Sequence, residues 1–157
     1  MQTFLPHKDF KETASCLDYK RLGKQRLESL QLLNASLRIL SGEEIKGWKN
    51  HPARLMWANH LYALCQYGIV ICDEWICRGY KDSLRPRFIS ILSTLKDNGL
   101  PPWINDERIH ISHRSNLLRK GRERLEKKGK RDTLEHYRKL WPDTPDSIPY
   151  YWPVKKD

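Results

Sequence analysis

The run from Pro52 to Arg78 constrains the fold more than any other stretch of the chain. Leu55, Met56, Trp57, Leu61, Leu64, Cys65, Ile69, Val70, Ile71, Cys72, Trp75 and Ile76 leave a helix over it apolar on nearly every side. Such a helix has to be enclosed by others, which places it in the middle of a domain. Pro52 suits a first helical turn and Gly79 a cap just past the end, so the spacing predicts one continuous helix between them. Asp73 and Glu74 argue against a membrane span, and no stretch approaches the roughly 18 uncharged apolar residues that a span needs. The first nine residues, Met1 to Asp9, lack the apolar centre of a secretory signal, so a soluble, cytoplasmic protein is expected.

Around that centre the periodicity predicts further helices. Leu30, Leu33, Leu37 and Leu40 repeat at three and four, giving an amphipathic helix from about Glu12 to Leu40. Stepped backwards, the stripe becomes Arg26, Gly23 and Tyr19, polar and small where a site can begin. Alternatively Leu22 and Leu27 carry the core on a rotated face and Arg26 reaches outward. Further helices are expected from Pro86 to Asn98, from His113 to Lys128 and from Asp132 to Leu140. Four prolines and three aromatics after Trp141 make the tail, residues 141–157, irregular and pinned by its rings. With no strand alternation, repeat or linker, the 157 residues read as one all-α domain spanning 1–157.

Charge points to the partner. The chain holds 29 Lys and Arg against 19 Asp and Glu, a net of +10. From Arg108 to Arg131 ten Lys or Arg face only Glu123 and Glu126, a net of +8, so a polyanion is the expected partner. That basic segment lacks the broad apolar face that would insert into a membrane. Cys16, Cys65, Cys72 and Cys77 show no CxxC spacing and read as reduced thiols. His110 and His113 have no cysteine or carboxylate at ligand spacing, and phosphate-loop, dinucleotide and zinc-protease motifs do not occur, so neither metal nor cofactor is expected.

Two polar constellations remain. In Cys16 to Arg26, Lys20 and Lys24 share one helix face suited to phosphates, while Asp18, Arg21 and Gln25 share another suited to a base or sugar. In His110 to Asn116, His113, Arg114 and Asn116 sit at a predicted helix start, followed by Arg119 and Lys120, a set suited to phosphate oxygens. The plainer readings are an exposed helix turn for the first and a capping sequence for the second. His60 stands among apolar neighbours, either as a core histidine or, with Asn59, as a pocket floor.

Thr3 to Pro6, CLDYKRLGKQR from Cys16, WKNHP from Trp48, Trp57 to His60, Arg78 to Tyr80, PPW at Pro101, SHRSNLLRK at Ser112 and PYYWP at Pro149 together resemble the pyrimidine-dimer DNA glycosylases of the endonuclease V type, in their bacterial and phage branch. The resemblance implies an all-α monomer that grips double-stranded DNA and removes a damaged or modified pyrimidine, such as a pyrimidine dimer, without a cofactor. In that family the chain's amino terminus attacks the sugar C1′ to form an imine, which can go on to cut the strand as an AP lyase. Carried over by position, Arg21, Arg26 and His60 keep matching residue types at the site and Lys24 stays basic. Gln2 after Met1 implies that Met1 is retained and supplies the amine. The position of the family's catalytic glutamate finds no acidic match, which leaves Asp18 or Gln25 as its stand-in. The alternatives are a non-catalytic or base-modifying DNA-binding protein of the same ancestry and, on charge alone, an RNA-binding or inhibitory phage protein.

Overall fold

The computed structural model describes residues 2–154, which form seven α-helices and no strand. In chain order these are α1 (Phe10–Cys16), α2 (Tyr19–Leu40), α3 (Pro52–Leu55), α4 (Leu61–Cys77), α5 (Arg85–Leu92), α6 (Glu107–Lys128) and α7 (Asp132–Leu140). The apolar run does occupy the centre: α4 packs against α1, α2 and α5, and its Ala63, Leu64, Tyr67, Ile71 and Cys72 are buried. Among the described residues no helix is long and apolar enough to cross a membrane.

The expected continuous helix from Pro52 to Arg78 is instead broken over residues 56–60. Trp57 explains the break. It is fully buried, its Nε1 donates to Thr3 Oγ1 at 2.8 Å, and its ring meets Trp103 edge-on at 4.9 Å. Seating that indole turns the chain out of helix, and His60 restarts it at φ −139° and ψ 49°. The helix expected from Glu12 to Leu40 is likewise divided. Leu17 is extended, and Asp18 caps α2 by accepting from Arg21 N at 3.4 Å. Local capping here outweighs a periodicity that reads straight through. On α2 the buried residues are Leu22, Gln25, Ser29, Leu30, Leu32, Leu33, Ala35 and Ser36, with Leu37 packed against the core, while Leu27 and Leu40 are exposed. The leucine stripe is therefore borne out at Leu30, Leu33 and Leu37 and fails at Leu40, and of the rotated face only Leu22 is in the core.

The third expected helix, Pro86 to Asn98, ends early at Leu92. The fourth begins six residues sooner than expected, capped by Asp106, whose carboxylate accepts from Arg108 N at 3.1 Å. His110 to Asn116 therefore lies inside α6, and the helix-start anion site expected for it does not exist. The tail is irregular as its prolines require, and Tyr150 and Trp152 pack against the core. The four cysteines are unpaired, with burial pushing Cys16, Cys65 and Cys72 up to about 12.

α6 and α7 approach closely because Gly121 has no side chain: a Cβ there would lie 2.8 Å from the backbone N and Cα of Leu134. Backbone cannot move aside as a side-chain tip can. Gly121→Ala should cost about 1–3 kcal/mol despite alanine's better helix propensity. A urea midpoint at or above that of the parent protein would show that the two helices can separate freely.

Candidate active site and nucleic-acid interface

The segment from Gln2 to Pro6 is buried and belongs to no helix or strand, so side chains have to satisfy its backbone. They do so from three helices. On α2, Gln25 accepts from Phe4 N at 2.8 Å and donates to Gln2 O at 2.8 Å. On α4, the Tyr67 hydroxyl lies 2.7 Å from Phe4 O and 2.8 Å from Gln25 Oε1. On α6, His113 Nδ1 accepts from Leu5 N at 2.8 Å, His110 Nδ1 lies 2.7 Å from Leu5 O, and Arg114 donates to Pro6 O at 2.6 Å. The start of the chain is thereby held to one place.

That place is beside a carboxylate. Gln2 N lies 3.4 Å from Glu28 Oε2, which also accepts from Gln25 Nε2 at 3.4 Å. Glu28 is a residue that sequence reasoning missed, and it is the acidic side chain that lies beside Gln2, where Asp18 does not reach. The available signal was spacing: Arg21, Gln25 and Glu28 fall at i, i+4 and i+7, on one helix face. Gln2, Phe4, Arg21, Lys24, Glu28, Arg119, Lys120 and Tyr150 enclose a cleft of about 270 Å³.

A second, larger cleft of about 490 Å³ adjoins it, sharing Arg21, Lys24 and Lys120 and adding Asp18, Lys20, Glu123, Arg124, Lys127, Lys128 and Thr133. Lys20, Arg21 and Lys24 thus line one surface rather than two separate faces. Desolvation lowers the pKa of Lys20, with the charges of Arg124, Lys128 and Lys130 acting the same way and Asp132 opposing them. Arg119 Nε is buried without a hydrogen-bond partner among the described residues, with Glu123 no nearer than 3.8 Å. Such a donor suits an oxygen from outside. Continuous basic clefts of this kind fit the phosphates of a nucleic-acid backbone.

Several expected site residues are placed elsewhere. Asp18 ties α2 to α7, its carboxylate accepting from Tyr137 OH and from Arg21 N, so it is no free acid or base at Gln2. Gln25 is a buried clamp on the backbone of residues 2 and 4. Arg26 is turned away, ion-paired with Asp82 and stacked over Trp75 with 4.5 Å to the ring centroid. His60 faces the loop between α5 and α6, with Nδ1 3.4 Å from Gly99 O. His113 and Asn116 are buried and cannot reach DNA. Asn116 Nδ2 donates to Ile148 O at 3.0 Å, Ser115 Oγ accepts from Ile148 N at 2.9 Å and Ser112 Oγ from Tyr151 N at 3.2 Å. The polar residues of α6 therefore hold Leu5 on one side and residues 148–151 on the other, and Arg114 holds Pro6 and Glu107. Of the expected nucleic-acid contacts, Lys20, Lys24, Arg119 and Lys120 line the clefts. Met1 lies outside the described residues. Among the described residues no three His, Cys, Asp or Glu side chains gather as metal ligands.

Residues 2–4, the Glu28 carboxylate and a cluster of basic side chains thus meet in one cleft of a helical domain. The family model for pyrimidine dimer DNA glycosylases matches residues 1–85, and the chain belongs to that family. That span contains Gln2 to Pro6, all of α2 including Glu28, and Tyr67. Comparison with curated proteins and with solved structures finds no match.

Proposed function

We propose that this protein is a DNA-repair glycosylase that removes a damaged or modified pyrimidine, a pyrimidine dimer foremost, from duplex DNA. In this reading the amine at the start of the chain attacks C1′ of the damaged nucleotide and the glycosidic bond breaks to leave an imine. A terminal amine suits the attack, since its ordinary pKa of about 8 leaves a useful neutral fraction near pH 7. The observation that carries the reading is Gln2 N held beside Glu28 inside the basic cleft. Glu28 would stabilise the cation that develops on the sugar and then take the C2′ proton for β-elimination, the AP-lyase step. A dimer weakens its own base pairs, which lowers the few kcal/mol needed to expose the sugar.

Borohydride trapping on duplex DNA carrying one thymine dimer tests this. A covalent adduct on the first residue of the mature chain is expected, with mass spectrometry identifying whether that residue is Met1. Capping the terminal amine should abolish both base release and trapping on dimer DNA while leaving affinity within a few-fold. Base release that persists from capped protein would exclude the terminal amine as nucleophile. Binding should also depend steeply on salt: if about six phosphates are neutralised, the log–log slope is near −5. Changing Lys20 and Lys24 together to Ala should reduce that slope by about 2, one for each phosphate that is no longer neutralised. A slope unchanged in the double variant would place the DNA on another face.

A further inference from the structure

Two hydrogen-bond donors of the smaller cleft have no acceptor. Gln2 and Arg119 both line it, together with Glu28 and Tyr150. Gln2 is only 3% exposed, and its amide is oriented by Thr3 N, which donates to Oε1 at 3.0 Å. Its Nε2 is nevertheless buried without a hydrogen-bond partner among the described residues, and Arg119 Nε on α6 is in the same condition. A buried donor left unpaired is costly, so two around one space call for an oxygen from outside. Tyr150 supplies an aromatic wall beside them. Its ring is held edge-on by His113 at 5.9 Å and tilted against Trp152 at 5.5 Å, with Arg119 Cζ 5.8 Å from its centroid. A phosphate would draw on Arg21, Lys24 and Lys120 in the same cleft and gain little from a neutral amide. A flat ring bearing carbonyl oxygens uses the wall and both donors.

We infer that Gln2 and Arg119 form a subsite for the departing pyrimidine, donating through Gln2 Nε2 and Arg119 Nε to its O2. The inference rests on the proposed function, which brings the sugar C1′ to the terminal amine beside Glu28. As the amine nitrogen bonds to C1′, the C1′–N1 bond breaks and its electron pair leaves with the base. One amine proton passes to O4′ as the C1′–O4′ bond opens, leaving the protonated imine, and the base takes a proton from solvent at N1. Until then its charge is shared between N1 and O2. In a dimer C5 and C6 are saturated, which removes the conjugation that would carry charge on to O4, so O2 bears more of it. Donors at O2 hold the departing anion more strongly than the intact base, and only such a difference speeds the step.

A pre-formed abasic site has no base to hold, so it separates this role from others. Single-turnover glycosidic cleavage on thymine-dimer duplex is compared with borohydride-trappable imine formation on abasic duplex. Gln2→Leu removes one donor at similar size, and Arg119→Lys keeps the charge while displacing the other. Each should slow cleavage on dimer DNA by roughly 10²-fold, as for loss of one oxyanion donor, and lower the ratio of dimer to abasic rates by at least about 10-fold. Equal losses on both substrates would mean that these side chains only support the fold or grip the backbone, and would overturn the inference. An unchanged dimer rate would overturn it too, and both results leave the glycosylase reading intact. Should Gln2→Leu fail to fold, Arg119→Lys decides alone. If the parent protein forms no adduct on either DNA, the functional reading falls and this inference with it.

Discussion

Glu28→Gln should lower single-turnover base release by roughly 10²- to 10⁴-fold, the range expected when a positioned acid or base is removed. The variant should still fold, because the amide oxygen can accept from Gln2 N as the carboxylate does now. Affinity should move the other way. Glu28 is an acidic residue in a cleft lined by Arg21, Lys24, Arg119 and Lys120, so removing its charge brings the phosphates into a more positive field. Equal or tighter binding with a collapsed rate is the signature of a group that acts on the reacting sugar. A parallel loss of both would mean that Glu28 only holds residues 2–5 in place, and an unchanged rate would remove it from the mechanism. Asp18→Asn is the control. With its carboxylate engaged by Tyr137 and Arg21, it should lower stability and leave the rate of the folded protein nearly unchanged.

The contrast between Glu28 and Asp18 shows how far the sequence could be read. Helix periodicity reports which residues are apolar, so the enclosed position of α4 was legible in its composition alone. Periodicity is blind to caps: Asp18 divides α1 from α2 with one side-chain bond to Arg21 N, and the leucine spacing passes over it unaffected. It is equally blind to polar residues that turn inward. Gln25, His113 and Asn116 are donors and acceptors that on sequence alone suit an outside phosphate. In the fold they meet backbone groups of residues 2–5 and 148, because an irregular segment buried among helices has to find its hydrogen bonds somewhere. The carboxylate proposed to act in the site was hidden for the converse reason. Glu28 looks like one more solvated charge on α2 until the start of the chain is seen to lie against it, and that contact spans 26 residues.

Acid should unfold the protein through His113, and take the site with it. Burial, reinforced by the nearby His110, lowers the His113 pKa from 6.5 to about 3, and its Nδ1 is occupied in accepting from Leu5 N. In the unfolded chain the same imidazole takes up a proton below about pH 6.5. Between about pH 6.5 and 3 the unfolded state therefore binds the extra proton, so stability falls as pH falls across that window and is fully present above it. The full shift corresponds to something on the order of 5 kcal/mol, a large share of a typical domain's stability of about 5–15 kcal/mol. His7, whose pKa burial also lowers, acts with the same sign. The Arg124 guanidinium holds the Asp132 carboxyl down to about 2, so that pair fails only below about pH 4, after the histidine limb is largely spent. Urea midpoints from pH 8 to 4 should fall progressively below pH 6.5 in the parent protein. His113→Gln, with an amide oxygen able to accept from Leu5 N but nothing to titrate, should start less stable and show a flatter acid limb. Because the bond that protonation breaks is one of those fixing residues 2–6 beside Glu28, base release should decline over the same pH range as the urea midpoint. A midpoint that stays level from pH 7 down to 4 would mean that His113 is readily protonated where it sits, and that residues 2–6 are held without it by Gln25, Tyr67, His110 and Arg114.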